Sequence, residues 1–333
     1  MSLRAGLERW LVARWYGPRP ILPLLPLAGL FGAIGGLRRW LYRCGLLRAA
    51  PRRLPVLVVG NLTVGGAGKT PAVLALIEGL RARGWRPGVV SRGHGGSARD
   101  AMLLPEQPEP SLHGDEPSLI RLRSGAPVAV ARQRSRGAAL LEASGEVDLL
   151  LADDGLQHYA LARDLEVLVI DGERRFGNGA LLPAGPLREP LARAADCAAR
   201  VCNGGTPGPD EWPMRLAPLP LRALVEGAAP PGRGARVHAL AGIANPARFF
   251  ATLRTLGFEP IEHAFPDHYA FAPADLDFAD DLPLLMTEKD AVKCARFATA
   301  RCFYLPVSAE LPEALLDLLH ARLKAAQNLR GTR

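Results

Sequence analysis

The sequence predicts an α/β fold, a parallel sheet flanked by helices. From Pro51 onward, short apolar runs bounded by Gly, Pro and Asp alternate with helix-length stretches. The first run enters a glycine-rich loop that ends in Lys69 and Thr70, and a later one ends in two adjacent carboxylates, Asp153 and Asp154. Continuous apolar runs suit strands buried on both faces, and parallel neighbours need helical crossovers between them.

The runs are 56–59, 88–91, 127–131, 147–152 and 166–170, with helices expected over 71–83 and 132–144. Residues 51–203 are therefore expected to form one domain. Residues 204–234 hold six glycines and seven prolines in 31 positions, a density that marks a linker or a pair of edge strands. Beyond it, 236–241, 245–256, 283–287, 302–306 and 311–323 suggest a smaller α/β domain over 235–333 with a terminal helix. A chain of 333 residues suits about two domains.

Residues 1–50 read differently. An uncharged stretch, 21–37, is flanked by Arg14 and Arg19 on one side and Arg38, Arg39 and Arg43 on the other. It is shorter than the roughly 20 residues a span needs, and Pro23 and Pro26 interrupt it. Three of the five tryptophans (Trp10, Trp15, Trp40) and two of the five tyrosines (Tyr16, Tyr42) lie beside those arginines. Such a segment suits a helix lying in the headgroup region, and equally a core helix packed on the next domain. A cleaved signal peptide fits poorly, since the charged leader is long.

Composition narrows the class. An apolar fraction of 48% with 22% charged residues is close to ordinary globular usage and argues against a disordered chain and a multi-span membrane protein. The net charge of +8 comes almost wholly from arginine, because the lysines are Lys69, Lys289, Lys293 and Lys324 alone. Five cysteines without a C-x-x-C pair indicate neither a disulfide framework nor a zinc site, and fit a reducing, cytoplasmic setting.

The loop runs Gly60-Asn61-Leu62-Thr63-Val64-Gly65-Gly66-Ala67-Gly68-Lys69-Thr70-Pro71. A strand, then glycines, then a helix start exposes backbone N–H groups in a nest where the helix dipole also favours negative charge. Thr63, Val64, Gly65, Gly66, Ala67, Gly68, Lys69 and Thr70 are thus expected to hold a nucleotide triphosphate, with Lys69 on the β- and γ-phosphates and the Thr70 hydroxyl on Mg²⁺. The usual first glycine is replaced by Thr63. Asp153 and Asp154, at the end of a neighbouring strand, supply the acidic metal ligand such a loop needs. The fold expected is therefore P-loop NTPase-like.

These parts leave the acceptor open. Asp115, in His113-Gly114-Asp115-Glu116-Pro117, could take a hydroxyl proton, or the string could simply favour the dipole of a helix start. Arg188 and Glu189 end a long loop after the strand at 166–170, and could hold phosphate and metal or belong to a proline-stiffened connector.

Together the strings resemble the tetraacyldisaccharide 4′-kinases, the lipid A 4′-kinases of Gram-negative bacteria. The resemblance rests on the loop above, Ser91-Arg92-Gly93, Gly114-Asp115-Glu116-Pro117, Asp153-Asp154-Gly155-Leu156-Gln157-His158, Phe176-Gly177-Asn178-Gly179, Leu182-Pro183-Ala184-Gly185-Pro186-Leu187-Arg188-Glu189, Gly242-Ile243-Ala244-Asn245-Pro246 and Met286-Thr287-Glu288-Lys289-Asp290. It spans nearly the whole chain. Thr63 then agrees with the family loop, while Ala67 stands where a threonine is expected.

The resemblance implies transfer of the ATP γ-phosphate to the 4′-hydroxyl of a tetraacyldisaccharide 1-phosphate at the cytoplasmic face of the inner membrane. It implies that Asp115 acts on the hydroxyl with His268 as partner, a pairing nothing local in the sequence suggests. Asp153, Asp154 and Glu189 would gather around Mg²⁺, and Ser91, Arg92, His94 and Arg188 would face substrate. A four-chain substrate also favours the interfacial reading of 21–37. Neither nucleic acid nor an obligate protein partner is expected. Two rivals are a P-loop GTPase or metal chaperone, for which the guanine-specifying N-K-x-D string is missing, and a membrane-associated structural protein with a degenerate nucleotide site.

Overall fold

The computed structural model describes residues 3–331. Helices α1 (Leu3–Trp15) and α2 (Leu25–Arg43) precede the first strand. Then follow β1 (Val56–Gly60), α3 (Lys69–Arg81), β2 (Pro87–Ser91), β3 (Met102–Leu103), α4 (Pro110–His113), α5 (Asp115–Ser124), β4 (Val128–Val130), α6 (Arg134–Ser144), β5 (Leu149–Asp153) and β6 (Leu165–Asp171). The rest contributes β7 (Ala199–Asn203), β8 (Glu211–Pro218), β9 (Arg222–Ala223), β10 (Arg236–Ala241), α7 (Pro246–Thr255), β11 (Glu259–Ala264), β12 (Leu284–Thr287), α8 (Glu288–Cys294), β13 (Cys302–Leu305), β14 (Val307–Glu310) and α9 (Glu313–Gly331).

Among the described residues the larger sheet runs β14-β8-β7-β6-β1-β5-β2-β4-β3 and the smaller one β11-β10-β12-β13-β9. The interior of the larger sheet is parallel, with antiparallel β14 and β3 at its edges. Alternation along β1 explains its two cores. Leu57 and Val59 pack with Val73, Ile77 and Leu80 of α3 and with α9, while Val56 and Val58 face Leu141 of α6 and Leu187. Both faces are covered, so β1 is buried throughout.

The order places Asn203 of β7, Asp171 of β6, Gly60 of β1, Asp153 of β5 and Ser91 of β2 at neighbouring carboxyl ends. Ligands of open α/β sheets bind in the crevice beyond such ends. The smaller sheet stands beside that crevice: Arg123 of α5 pairs with Glu288 of α8 at 2.6 Å.

Chain membership differs from the sequence boundaries. Residues 204–234 contain β8, which pairs with β7 in the larger sheet, and β9, which pairs with β13 in the smaller one. After β13 the chain returns, and β14 pairs with β8. Helix α9 buries Leu315, Leu316, Leu319 and Leu323 in the core of the larger sheet. Each such leucine contributes roughly 1.5–3 kcal/mol on burial, and β14, which directly precedes α9, already lies in that sheet. The strand alternative for 204–234 thus holds, with β9 at an edge and β8, which carries Pro213 and Pro218, second from one, while a returning strand has no local signature.

The uncharged stretch at 21–37 is divided between a 3-10 turn, Leu22–Leu24, and α2. Ala28 is its buried residue, and a Cβ at Gly32 would come within 2.6 Å of Leu181, so α2 lies against the loop before Arg188 there. Leu27, Leu30, Ile34 and Leu37, spaced three and four apart, are each more than half exposed. No helix among the described residues is long and apolar enough to cross a membrane.

Candidate active site

The phosphate loop leaves β1 at Gly60 and closes at Gly68, whose φ of 90° lies in the left-handed region. A side chain at Gly68 would be strained by that φ, and its Cβ would also sit 2.2 Å from Asn203 Nδ2. The end of β7 and the long segment after β6 clamp the loop. Asn203 Nδ2 donates to the Ala67 carbonyl (3.1 Å), Val64 N donates to Pro186 (2.9 Å), Arg188 N donates to Leu62 (2.7 Å) and Arg174 Nη2 donates to Gly66 (2.6 Å). Asn61 organises its interior, donating to Thr63 Oγ1 and the Gly65 carbonyl and accepting from Lys69 Nζ at 3.2 Å. Lys69 begins α3, and its ammonium also lies 3.6 Å from Asp154 Oδ1.

Val64, Gly65, Gly66 and Lys69 line a cleft of about 950 Å³ with Ser91, Arg92, His94, Asp153, Asp154, Arg188, Glu189 and His268. Phe31, Ile34 and Arg38 of α2 form its wall on the N-terminal side. Thr70 lines an adjoining pocket of about 270 Å³ with Asp171, Asn203 and Arg248, and the two spaces share Gly66 and Lys69. Thr63 is buried and bridged to Leu187, and the Ala67 side chain turns into the core.

The adjacent carboxylates differ sharply. Asp154, in a left-handed conformation with φ 46°, accepts from Arg188 at 3.0 and 3.1 Å. Burial opposes its charge, but Lys69 and Arg188 outweigh burial and draw its pKa down to about 2. Asp153 is 1% exposed, and neither carboxylate oxygen has a partner. Burial, then Glu116 and Asp154, push it up to about 7. Arg134 Nη2 reaches only the backbone carbonyls of the pair.

A buried carboxylate without a donor is costly, and it fits a cation. Asp154 and Glu189 line the same cleft as Asp153, and Thr70 lines the pocket next to it; all are oxygen donors, which suits a hard ion such as Mg²⁺. Among the described residues no three His, Cys, Asp or Glu side chains already stand in a metal-binding cluster, so the fit rests on the unpartnered oxygens of Asp153. Glu189 is oriented by two other residues of the cleft wall. It accepts from Gln157 at 3.1 Å and from the Tyr159 hydroxyl. Burial and that bond to Glu189 push the Tyr159 phenol up to about 12, keeping it a donor.

Asp115 opens α5 directly after Gly114, whose φ of 95° sets the turn. It is 8% exposed, and its Oδ2 lies 3.4 Å from His268 Nδ1. His268 follows β11 of the smaller sheet and has φ 59°. The His94 ring meets it edge-on, with centroids 4.8 Å apart. The two sheets thus bring together the pair that resemblance alone had joined. Sequence reasoning gave no role to Lys289, Tyr159 or Arg134. For Lys289 a signal existed, since it is one of only four lysines; Arg134 is one of many arginines, and Tyr159 sits in no motif that the sequence singles out.

The family model described as tetraacyldisaccharide-1-P 4′-kinase matches residues 21–324. The chain is 53% identical to the tetraacyldisaccharide 4′-kinase of Aeromonas hydrophila over 313 residues, covering 92% of this chain and 94% of that one. It is 47% identical over 325 residues to the enzyme of the same name from Methylobacillus flagellatus, covering 95% and 96%. A crystal structure of LpxK from Aquifex aeolicus in complex with ATP superposes with a TM-score of 0.75 at 29% identity, over 90% of this chain and 98% of that one. By the extent of these matches, the chain belongs to the tetraacyldisaccharide-1-P 4′-kinase family.

Proposed function

We propose that this protein is an ATP-dependent kinase that phosphorylates the 4′-hydroxyl of a tetraacylated glucosamine disaccharide 1-phosphate. The observation that carries it is one cleft lined by both Lys69 of the phosphate loop and His268, the partner of Asp115. Nucleotide and acceptor need such a shared space, because phosphoryl transfer is catalysed mainly by positioning and charge stabilisation.

The backbone N–H groups from Val64 to Lys69, with the Lys69 ammonium, hold the β- and γ-phosphates. Thr70, Asp153, Asp154 and Glu189 are the residues that would hold Mg²⁺, which supplies charge neutralisation for those phosphates. The 4′-oxygen bonds to the γ-phosphorus as the bond to the β–γ bridging oxygen breaks, and ADP leaves. The hydroxyl proton passes to Asp115 Oδ1 while Oδ2 stays turned toward His268. Ser91, Arg92 and His94 face the sugar, and Arg188 joins Lys69 in balancing negative charge.

Such an acceptor is held in the bilayer by about 0.8 kcal/mol per buried CH₂, so the protein goes to the membrane. The exposed leucine stripe of α2, beside Arg38, Arg39 and Arg43, supports peripheral seating at the cytoplasmic face of the inner membrane. The test is incubation with ATP, Mg²⁺ and the disaccharide 1-phosphate in mixed micelles. A 4′-phosphorylated product with acceptor-dependent ATP consumption is expected. ATP consumption indifferent to the acceptor would favour a regulatory hydrolase.

A further inference from the structure

We propose that Lys289 is a positioning residue that fixes the tautomer of His268, with the ring proton on Nδ1 facing Asp115 and Nε2 left as an acceptor. The inference deepens the reading above, because it rests on Asp115 and His268 acting on the acceptor hydroxyl.

Lys289 is the second residue of α8, at the carboxyl end of β12, which aims it from the smaller sheet at the start of α5. Its Nζ lies 3.3 Å from each of three groups: Glu116 Oε1, Asp267 Oδ1 and His268 Nε2. An ammonium has three N–H donors and no acceptor, so these partners saturate it. Burial works against its charge, but Glu116 and Asp267 outweigh burial and raise its pKa, so it remains a donor at neutral pH.

A donor-only group facing Nε2 requires a lone pair there. A neutral imidazole then carries its proton on Nδ1, the nitrogen 3.4 Å from Asp115 Oδ2. The competing acceptor for an Nε2 proton, Asp267 Oδ1, is 3.9 Å away and out of hydrogen-bond range. Of the other titratable neighbours, His94 meets the ring edge-on and Glu116 is held by Lys289. The consequence is a division of labour. His268 donates to one oxygen of Asp115 and holds the carboxylate in place, and Asp115 alone is free to take the proton from the substrate.

The test combines ¹⁵N–¹H spectra of histidine-labelled full-length protein with kinetics. The His268 signals are assigned by their loss in His268→Gln. In the unsubstituted protein near pH 7.5, His268 is expected to show a protonated Nδ1 and an unprotonated Nε2. In Lys289→Met, an Nε2-protonated population should appear and kcat should fall by about 10–100-fold, the range for outer-shell partners, with KM for ATP changed less than about threefold. A protonated Nε2 in the unsubstituted protein overturns the proposal, and so does an unchanged tautomer in Lys289→Met. If Lys289→Met does not fold, the first spectrum still decides. Full turnover in Asp115→Asn would instead remove the underlying reading and leave the tautomer assignment standing.

Discussion

His268 Nδ1 lies 3.4 Å from Asp115 Oδ2 although 153 positions separate them in the chain. One residue comes from the loop after β11 of the smaller sheet and the other from the first turn of α5 on the larger. Substituting either should affect chemistry more than nucleotide binding. Asp115→Asn is expected to lower kcat by about 10²–10⁴, the usual contribution of a general base, while the dissociation constant for ATP stays within about threefold. Undiminished turnover in that variant would remove Asp115 from the mechanism.

Asp153 keeps both carboxylate oxygens buried without a donor. Removing that charge should lower the cost of burial in the protein free of metal, so at pH 8 Asp153→Asn is expected to be more stable to heat by about 1–3 kcal/mol, because a buried charge costs more to desolvate than the amide that replaces it. Added Mg²⁺ should raise the melting temperature of the unsubstituted protein and leave the variant unchanged. A variant that melts lower without metal, or responds equally to Mg²⁺, contradicts this assignment.

The N-terminal segment reaches the nucleotide loop through Tyr16, whose hydroxyl donates to the Val64 carbonyl at 3.1 Å while the Arg174 guanidinium lies over its ring. Tyr16→Phe keeps the ring and removes one hydrogen bond. KM for ATP should rise about 3–10-fold, corresponding to roughly 1 kcal/mol, with KM for the lipid unchanged. An effect on the lipid term alone would place Tyr16 with the acceptor.

The stripe on α2 offers a separate handle. Leu30 is 59% exposed and Leu37 57%, and neither lines the cleft. Replacing both with glutamate should reduce vesicle binding at least tenfold, since each leucine that enters an apolar phase gains roughly 1.5–3 kcal/mol. Turnover on a short-chain acceptor in detergent should be retained. Equal vesicle binding would mean that α2 does not seat on the bilayer.

His158 is depressed to about 4, first by burial and then by Arg134 and Arg163. Its folded value lies below the unfolded 6.5, so the stability it contributes is present above pH 6.5 and is lost as pH falls toward 4. The ring is only partly buried, and after solvent screening the effect should be about 1–2 kcal/mol. Melting temperatures of His158→Gln should fall less steeply over that window than those of the unsubstituted protein, and parallel curves would refute the prediction.

Local chemistry is legible in the sequence. A buried strand, three glycines and Lys69-Thr70 are contiguous, and so are the apolar run and the Asp153–Asp154 pair, because strand periodicity and turn geometry are properties of neighbouring residues. The family strings extended that reading across nearly the whole chain. What no local pattern carries is which distant elements meet. Only packing leaves Asp153 unpartnered while Arg188 and Lys69 hold Asp154, since the two differ by one position in sequence and by their surroundings in space. Only sheet pairing returns β14 and α9 to the larger sheet, and only the placement of the two sheets sets Lys289, His268 and Asp115 in one line. Those relations depend on register and on the burial of apolar faces far apart in the chain, which is why the loop announced a phosphate site and the tertiary structure supplied the partner that faces it.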